Sequence, residues 1–149
     1  MEEDNYRNSY NNFVPVRCIF ERSLLARHCM CSKAQQLNLA EREAIKCRGN
    51  EYQENCEKIY EHLLKNCQFV FHRTNPDEPL PFAKQIKLQS GSLHVLNQIL
   101  YHSENSGVND VYQLLQDVLT KWSSFENIPI QELLKGVASF KVRNKKGKN

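Results

Sequence analysis

SKAQQLNLAEREAIKC, residues 32–47, is the stretch on which the fold class turns. It contains two capping signatures: Ser32 with Gln35 three residues on, and Asn38 with Glu41 three residues on. In each, the first side chain can accept an orphan N–H of a helix start while the later one reaches back to the cap. Neither Gly nor Pro interrupts residues 16–48. The pattern therefore predicts a helix that starts at one of the two caps and runs to Cys47, which makes the whole cysteine-bearing half of the chain helical.

Upstream, Phe20, Leu24, Leu25 and His28 recur at helical spacing and predict an amphipathic helix over 19–29, with Glu21, Arg22 and Arg27 on its other face. Downstream, Gly49 suits the left-handed position after a helix, and Asn50 with Gln53 reads as a third capping box. The helix it opens, 51–66, carries one apolar stripe of Tyr52, Cys56, Ile59, Tyr60, Leu63, Leu64 and Cys67, so Cys56 and Cys67 are expected to point inward. Residues 68–90 break the pattern. Asn75-Pro76 and Pro79-Leu80-Pro81 demand loop, and the flanks Gln68–Phe71 and Gln85–Leu88 alternate in polarity, which allows a small two-stranded ribbon.

Three further helices follow, each reading as packing without a buried polar cluster. Leu93, Leu96, Ile99 and Leu100 mark one after Ser92, Val108 to Trp122 a second entered past Ser106-Gly107, and Ile130 to Val137 a third with Pro129 at its first turn. The expected fold is all-α, a compact helical bundle of about five or six helices with the optional ribbon around 68–90. The expected division is a flexible arm at 1–14, one helical domain at 15–140 and a disordered basic tail at 141–149. Within the domain, 15–67 is the cysteine-rich helical half, 68–90 the loop or ribbon, and 91–140 the second helical half.

A chain of 149 residues with a net charge of +3 fits one domain that buries enough surface to fold without a disulfide or a metal as scaffold. Its first residues, Met1-Glu2-Glu3-Asp4-Asn5, are acidic where an export signal is basic and then apolar, and no window is apolar enough to cross a bilayer. The expectation is a cytoplasmic protein with reduced cysteines and no membrane association. Lys141, Arg143, Lys145, Lys146 and Lys148 could contact phosphates, but the only aromatic residue beside them is Phe140. A solvated tail is preferred, nucleic acid is not an expected partner, and deletion of 141–149 is expected to leave the fold and any metal intact.

All six cysteines lie between residues 18 and 67. A single cysteine is most simply a small core hydrophobe, whereas six in so short a stretch point to a shared metal. Twelve, fifteen and eight residues separate Cys18, Cys31, Cys47 and Cys56, unlike the paired two-residue spacing of zinc ribbons or ferredoxins. Antiparallel packing of the first three helices would bring Cys18, Cys47 and Cys56 to one end. Cys31 then joins them if the segment 28–38 folds back; otherwise it pairs with Cys29, His28 and Cys67 in a second pocket. The first arrangement is preferred, because Cys31 precedes a helix start where the dipole favours a thiolate. His28 is read as a core residue before a ligand, and Glu21, Glu41 and Glu43 as salt-bridged helix surface beside Arg22 and Arg42. No phosphate loop, Ser-His-Asp order or HExxH pattern is present.

Cys18-Ile19-Phe20-Glu21-Arg22, Leu25-Ala26-Arg27, Cys31, Ala40-Glu41-Arg42-Glu43, Cys47 and Cys56 resemble a group of small uncharacterised bacterial proteins carrying four such cysteines, with the likeness reaching Leu80-Pro81 and the later helices. The resemblance implies that Cys18, Cys31, Cys47 and Cys56 are the set of interest and Cys29 and Cys67 extras. The resulting expectation is a metal-binding protein. It would hold an iron–sulfur cluster, [4Fe–4S] before zinc, through those four thiolates, for electron transfer, sensing or maturation of a protein partner. The alternative is a metal-free helical adaptor with core cysteines. An enzyme is the least supported class.

Overall fold

Residues 32–47 form a β-hairpin where the capping signatures predict a helix. The structure, a computed structural model, describes residues 16–40, 42–75, 77–102 and 107–142, so the expected arm and all but the first two residues of the expected tail lie outside it. Strands β1 (Ala34–Leu39) and β2 (Arg42–Cys47) pair antiparallel from Ala34 opposite Cys47 to Leu39 opposite Arg42. Ala40 in the connecting turn adopts a left-handed φ of 48°. A short isolated helix is marginal in water, so long-range pairing overrides the local caps. That pairing extends past the hairpin: Cys47 N donates to Val16 O at 2.8 Å and Cys18 N to Ile45 O at 3.1 Å, so β2 runs between β1 and the Val16–Cys18 segment. Ala44, Ile45 and Cys47 are buried. The all-α expectation is thus corrected to a mostly helical fold with one small antiparallel sheet among the described residues.

Helix α1 (Glu21–Leu25) is shorter than the expected 19–29, because Arg27 turns left-handed with φ 65° and the chain leaves as an extended strap. Helix α2 (Asn50–Asn66) carries the expected stripe, with Ile59, Leu63 and Cys67 buried. Gly49 precedes it with extended backbone, φ −173°, and not the left-handed turn expected there. No strand occurs among the described residues of 68–90. Helix α3 (Phe82–Tyr101) begins behind Pro81, which suits a helix entry, and takes up the second half of that segment. Helix α4 (Val111–Trp122) is capped by Asp110, whose side chain accepts from Tyr112 N at 3.2 Å. A 3₁₀ turn (Phe125–Asn127) leads to helix α5 (Ile130–Ser139), entered from Pro129. No helix of the described residues is long and apolar enough to cross a membrane.

The helices share one apolar core that includes Ile59, Leu63, Leu88, Leu96, Leu115 and Leu133. Its tightest seam joins α3 and α5. A Cβ on Gly91 would lie 2.8 Å from Val137 Cα, closer than real contacts allow, so only glycine lets these two backbones approach. Gly91→Ala is therefore expected to lower stability by about 1–3 kcal/mol in urea unfolding, because the neighbour to be displaced is main chain.

The buried face of α3 also carries a polar layer, contrary to the purely apolar packing expected of it. Gln89 Oε1 accepts from Ser23 N at 3.0 Å and its Nε2 donates to Ile19 O at 3.2 Å, while Ser90 Oγ lies 2.7 Å from both Ser23 Oγ and His28 Nδ1. Buried polar groups are costly unless paired, so these bonds fix one placement of α1 on α3. Cys18 enters the fold immediately ahead of that anchored segment.

Candidate metal centre

Cys18, Cys31, Cys47 and Cys56 line one cavity of about 20 Å3, together with Phe20, Val111 and other side chains. Each thiol arrives from a different part of the chain. Cys18 and Cys47 come from the sheet: Arg17 pairs with Lys46, so Cys18 stands opposite Ile45 and shares a face of the ribbon with Ile45 and Cys47. Cys47 closes β2 and its Sγ donates to Gly49 O at 3.4 Å. Cys56 lies on α2, which is tied to the same edge by a hydrogen bond from Gln53 Nε2 to Arg17 O.

Cys31 is brought in by the strap behind α1, which lies against the entry of α4. Met30 N donates to Val108 O and Val111 N to Met30 O, both at 2.8 Å, and Ser32 N donates to the capping carboxylate of Asp110 at 2.9 Å. The backbone N–H groups of Lys33 and Tyr112 favour the thiolate form of Cys31. The helix start beside Cys31 is thus that of α4, far along the chain, and not one within 32–47.

The other candidates stand apart from this cavity's lining. Cys29 is buried and its Sγ donates to Ser23 Oγ at 3.1 Å. Cys67 sits fully buried in the apolar core at the end of α2. His28 bonds Ser90, packs edge-on to Phe140 at 5.1 Å and lines a separate cleft with Arg27 and Met30. Glu21, expected on a salt-bridged surface, is 5 % exposed and accepts from Ile45 N at 2.8 Å. The physical reason is that β2 needs an acceptor there. Glu41 is outside the described residues; Glu43 is exposed, 2.6 Å from Gln36 Nε2 and 4.0 Å from Arg27.

Among the described residues no three His, Cys, Asp or Glu side chains converge closely enough to hold a single metal ion. The four thiols face a common space without meeting at a point. Three residues of the surroundings are not marked as site residues by the sequence: Lys33, Tyr52 and Tyr112 form a cluster, with Lys33 Nζ 4.5 Å from the Tyr52 ring and 5.2 Å from the Tyr112 ring. Only Tyr52 belongs to a readable pattern, and there it reads as part of an apolar stripe.

Burial dominates the electrostatics. Desolvation drives the Cys18 and Cys56 thiols far above their ordinary 9.0, pushes Cys29 up to about 12, and raises Cys31 against the pull of its N–H donors. The folded metal-free chain holds these protons to higher pH than the unfolded chain, whose thiols ionise near 9.0. The corresponding stability is intact below that pH and lost as pH rises toward the folded values. The melting temperature of metal-free protein is expected to hold up to about pH 9 and to fall as pH rises from there toward about 12, as followed by circular dichroism.

Set against known proteins, the chain matches no protein-family profile, no curated protein and no solved structure. Its functional reading rests on the cavity.

Proposed function

We propose that the chain binds an iron–sulfur cluster, of the [4Fe–4S] type, through Cys18, Cys31, Cys47 and Cys56. The observation that carries this reading is the approach of four thiols from four separate elements to one largely apolar cavity. A donor set of four sulfurs without nitrogen or oxygen suits such a cluster or zinc. Zinc would require all four to close to about 2.3 Å from one point, whereas a cluster is held by thiolates that stay apart. A cluster therefore asks for less convergence of the four thiols than zinc does, and a cavity of this size has to widen on loading.

The cluster supplies one-electron transfer when bound. The chain's own contribution is placement and environment. The N–H groups of Phe20 at Cys18, and of Lys33 and Tyr112 at Cys31, stabilise negative sulfur, and such bonds tune the potential of a metal–thiolate centre. Phe20 and Val111, 0 % and 1 % exposed, keep water from its inner side. A role in electron transfer, sensing or metalloprotein maturation requires a protein partner, and Met30, 62 % exposed between Cys29 and Cys31, offers it an apolar contact beside the cavity.

Protein purified without oxygen is expected to contain iron and acid-labile sulfide and to absorb near about 400 nm. One zinc per chain in a colourless protein would replace the cluster with a structural ion. A metal-free adaptor is the second reading, favoured by the exposed Phe69, Phe82 and Tyr101, which could dock a partner. Metal content and thermal stability left unchanged by alanine at Cys18, Cys31 and Cys47 would decide for it.

A further inference from the structure

We infer that Lys33, held across the rings of Tyr52 and Tyr112, is a latch over the mouth of the thiol cavity that must open before the cavity can be loaded; the nature of the cargo rests on the cluster reading above. Lys33 and Tyr52 both line the cavity and both are half-exposed, whereas Phe20 and Val111 on the inner side belong to the closed core. The mouth is therefore on the side away from those two, where Lys33 and Tyr52 stand with Gln53 and the half-exposed Cys31 and Cys56. There the ammonium lies 4.5 Å and 5.2 Å from the two ring centres, and the rings meet edge-to-face at 5.5 Å and 85°. Each member comes from an element that places a thiol or its donor. Lys33 follows Cys31 by two residues, Tyr52 lies one helical turn before Cys56, and Tyr112 presents an N–H to Cys31.

The room inside explains why the latch has to move. About 20 Å3 admits little more than one water-sized sphere, so a cluster cannot enter the cavity in this state. Of the walls, Cys18 and Cys47 are fixed by the backbone ladder of the sheet and the inner side by core packing. The latch is held by ring contacts of one side chain, the weakest part of the enclosure. Once thiolates occupy the cavity, the cation of Lys33 is drawn back to their side, so loading favours closure.

The test uses the full chain, stripped of metal, with iodoacetamide as the probe and mass spectrometry to resolve each cysteine. Lys33→Ala and Tyr52→Ala are expected to speed alkylation of Cys47 and Cys56 by about tenfold, with Cys67 unchanged. Lys33→Arg, which keeps a cation able to stack on rings, is expected to stay near the wild-type rate. Unchanged rates at Cys47 and Cys56 would overturn the latch. So would a parallel rise at Cys67, which lies in the core and reports general loosening. Iron and sulfide assay of the same proteins as purified without oxygen, before the metal is stripped, separates the two ideas. Faster Cys56 alkylation in a chain that never acquires iron and sulfide keeps the latch and removes the cluster; a loaded chain with no change in rates does the reverse.

Discussion

Cys56→Ala, purified without oxygen, is expected to lose its iron, its labile sulfide and its absorbance near about 400 nm, while Cys67→Ala keeps all three. The two residues lie on the same stripe of α2 and are eleven positions apart, which separates them by about 16 Å along the helix axis. Cys56 lines the cavity and Cys67 does not. Stability should run the other way. Cys67 is fully buried in the apolar core, so its truncation leaves a void, whereas Cys56 is only partly buried. Measured on metal-free protein, the expected cost is about 1–2 kcal/mol at Cys67 and less at Cys56. Metal loss without large destabilisation in one variant, and destabilisation without metal loss in the other, cannot both arise from general unfolding. If both variants keep the metal, the ligand set is wrong; if neither wild type nor variant carries any, the adaptor reading stands.

The elements legible in the sequence are those whose order is local. The stripe from Tyr52 to Cys67 gives α2, and the apolar spacing from Val111 to Trp122 and from Ile130 to Val137 gives α4 and α5. The hairpin was hidden because its turn has Ala40, not glycine, in the left-handed conformation, and because its stabilising edge, Val16–Cys18, lies well upstream. The first half of α3 was hidden for a related reason. Ser90-Gly91-Ser92 is poor helix sequence, and it is held helical by the seam at Val137 and by the bonds of Ser90 to Ser23 and His28. The density of cysteines directs attention to residues 18–67, but their spacing cannot say which of them share a cavity. That selection depends on the strand register joining Cys18 to Cys47 and on the strap that lays Cys31 against α4.

Glu21→Ala is expected to destabilise the protein by about 2–3 kcal/mol and to reduce metal content with it. Along the edge of β2 facing Cys18, Cys47 N donates to Val16 O and Cys18 N to Ile45 O; the next group on that edge is Ile45 N, and by then the chain has turned away into α1. The carboxylate of Glu21 takes the place of the missing main-chain acceptor at 2.8 Å. Alanine leaves a buried N–H without this partner, and an unsatisfied buried donor costs more than the average hydrogen bond contributes. Because that edge sets Cys18 beside Cys47, its loosening spreads the thiols as well. Glu21→Gln retains an oxygen acceptor without the charge, and is expected to cost about 1 kcal/mol and keep the metal. Urea unfolding and iron analysis of the two variants measure both effects. A Glu21→Ala protein as stable as wild type would mean that the Cys18 edge holds without the carboxylate, and that the pairing of Cys18 with β2 suffices to place the thiols.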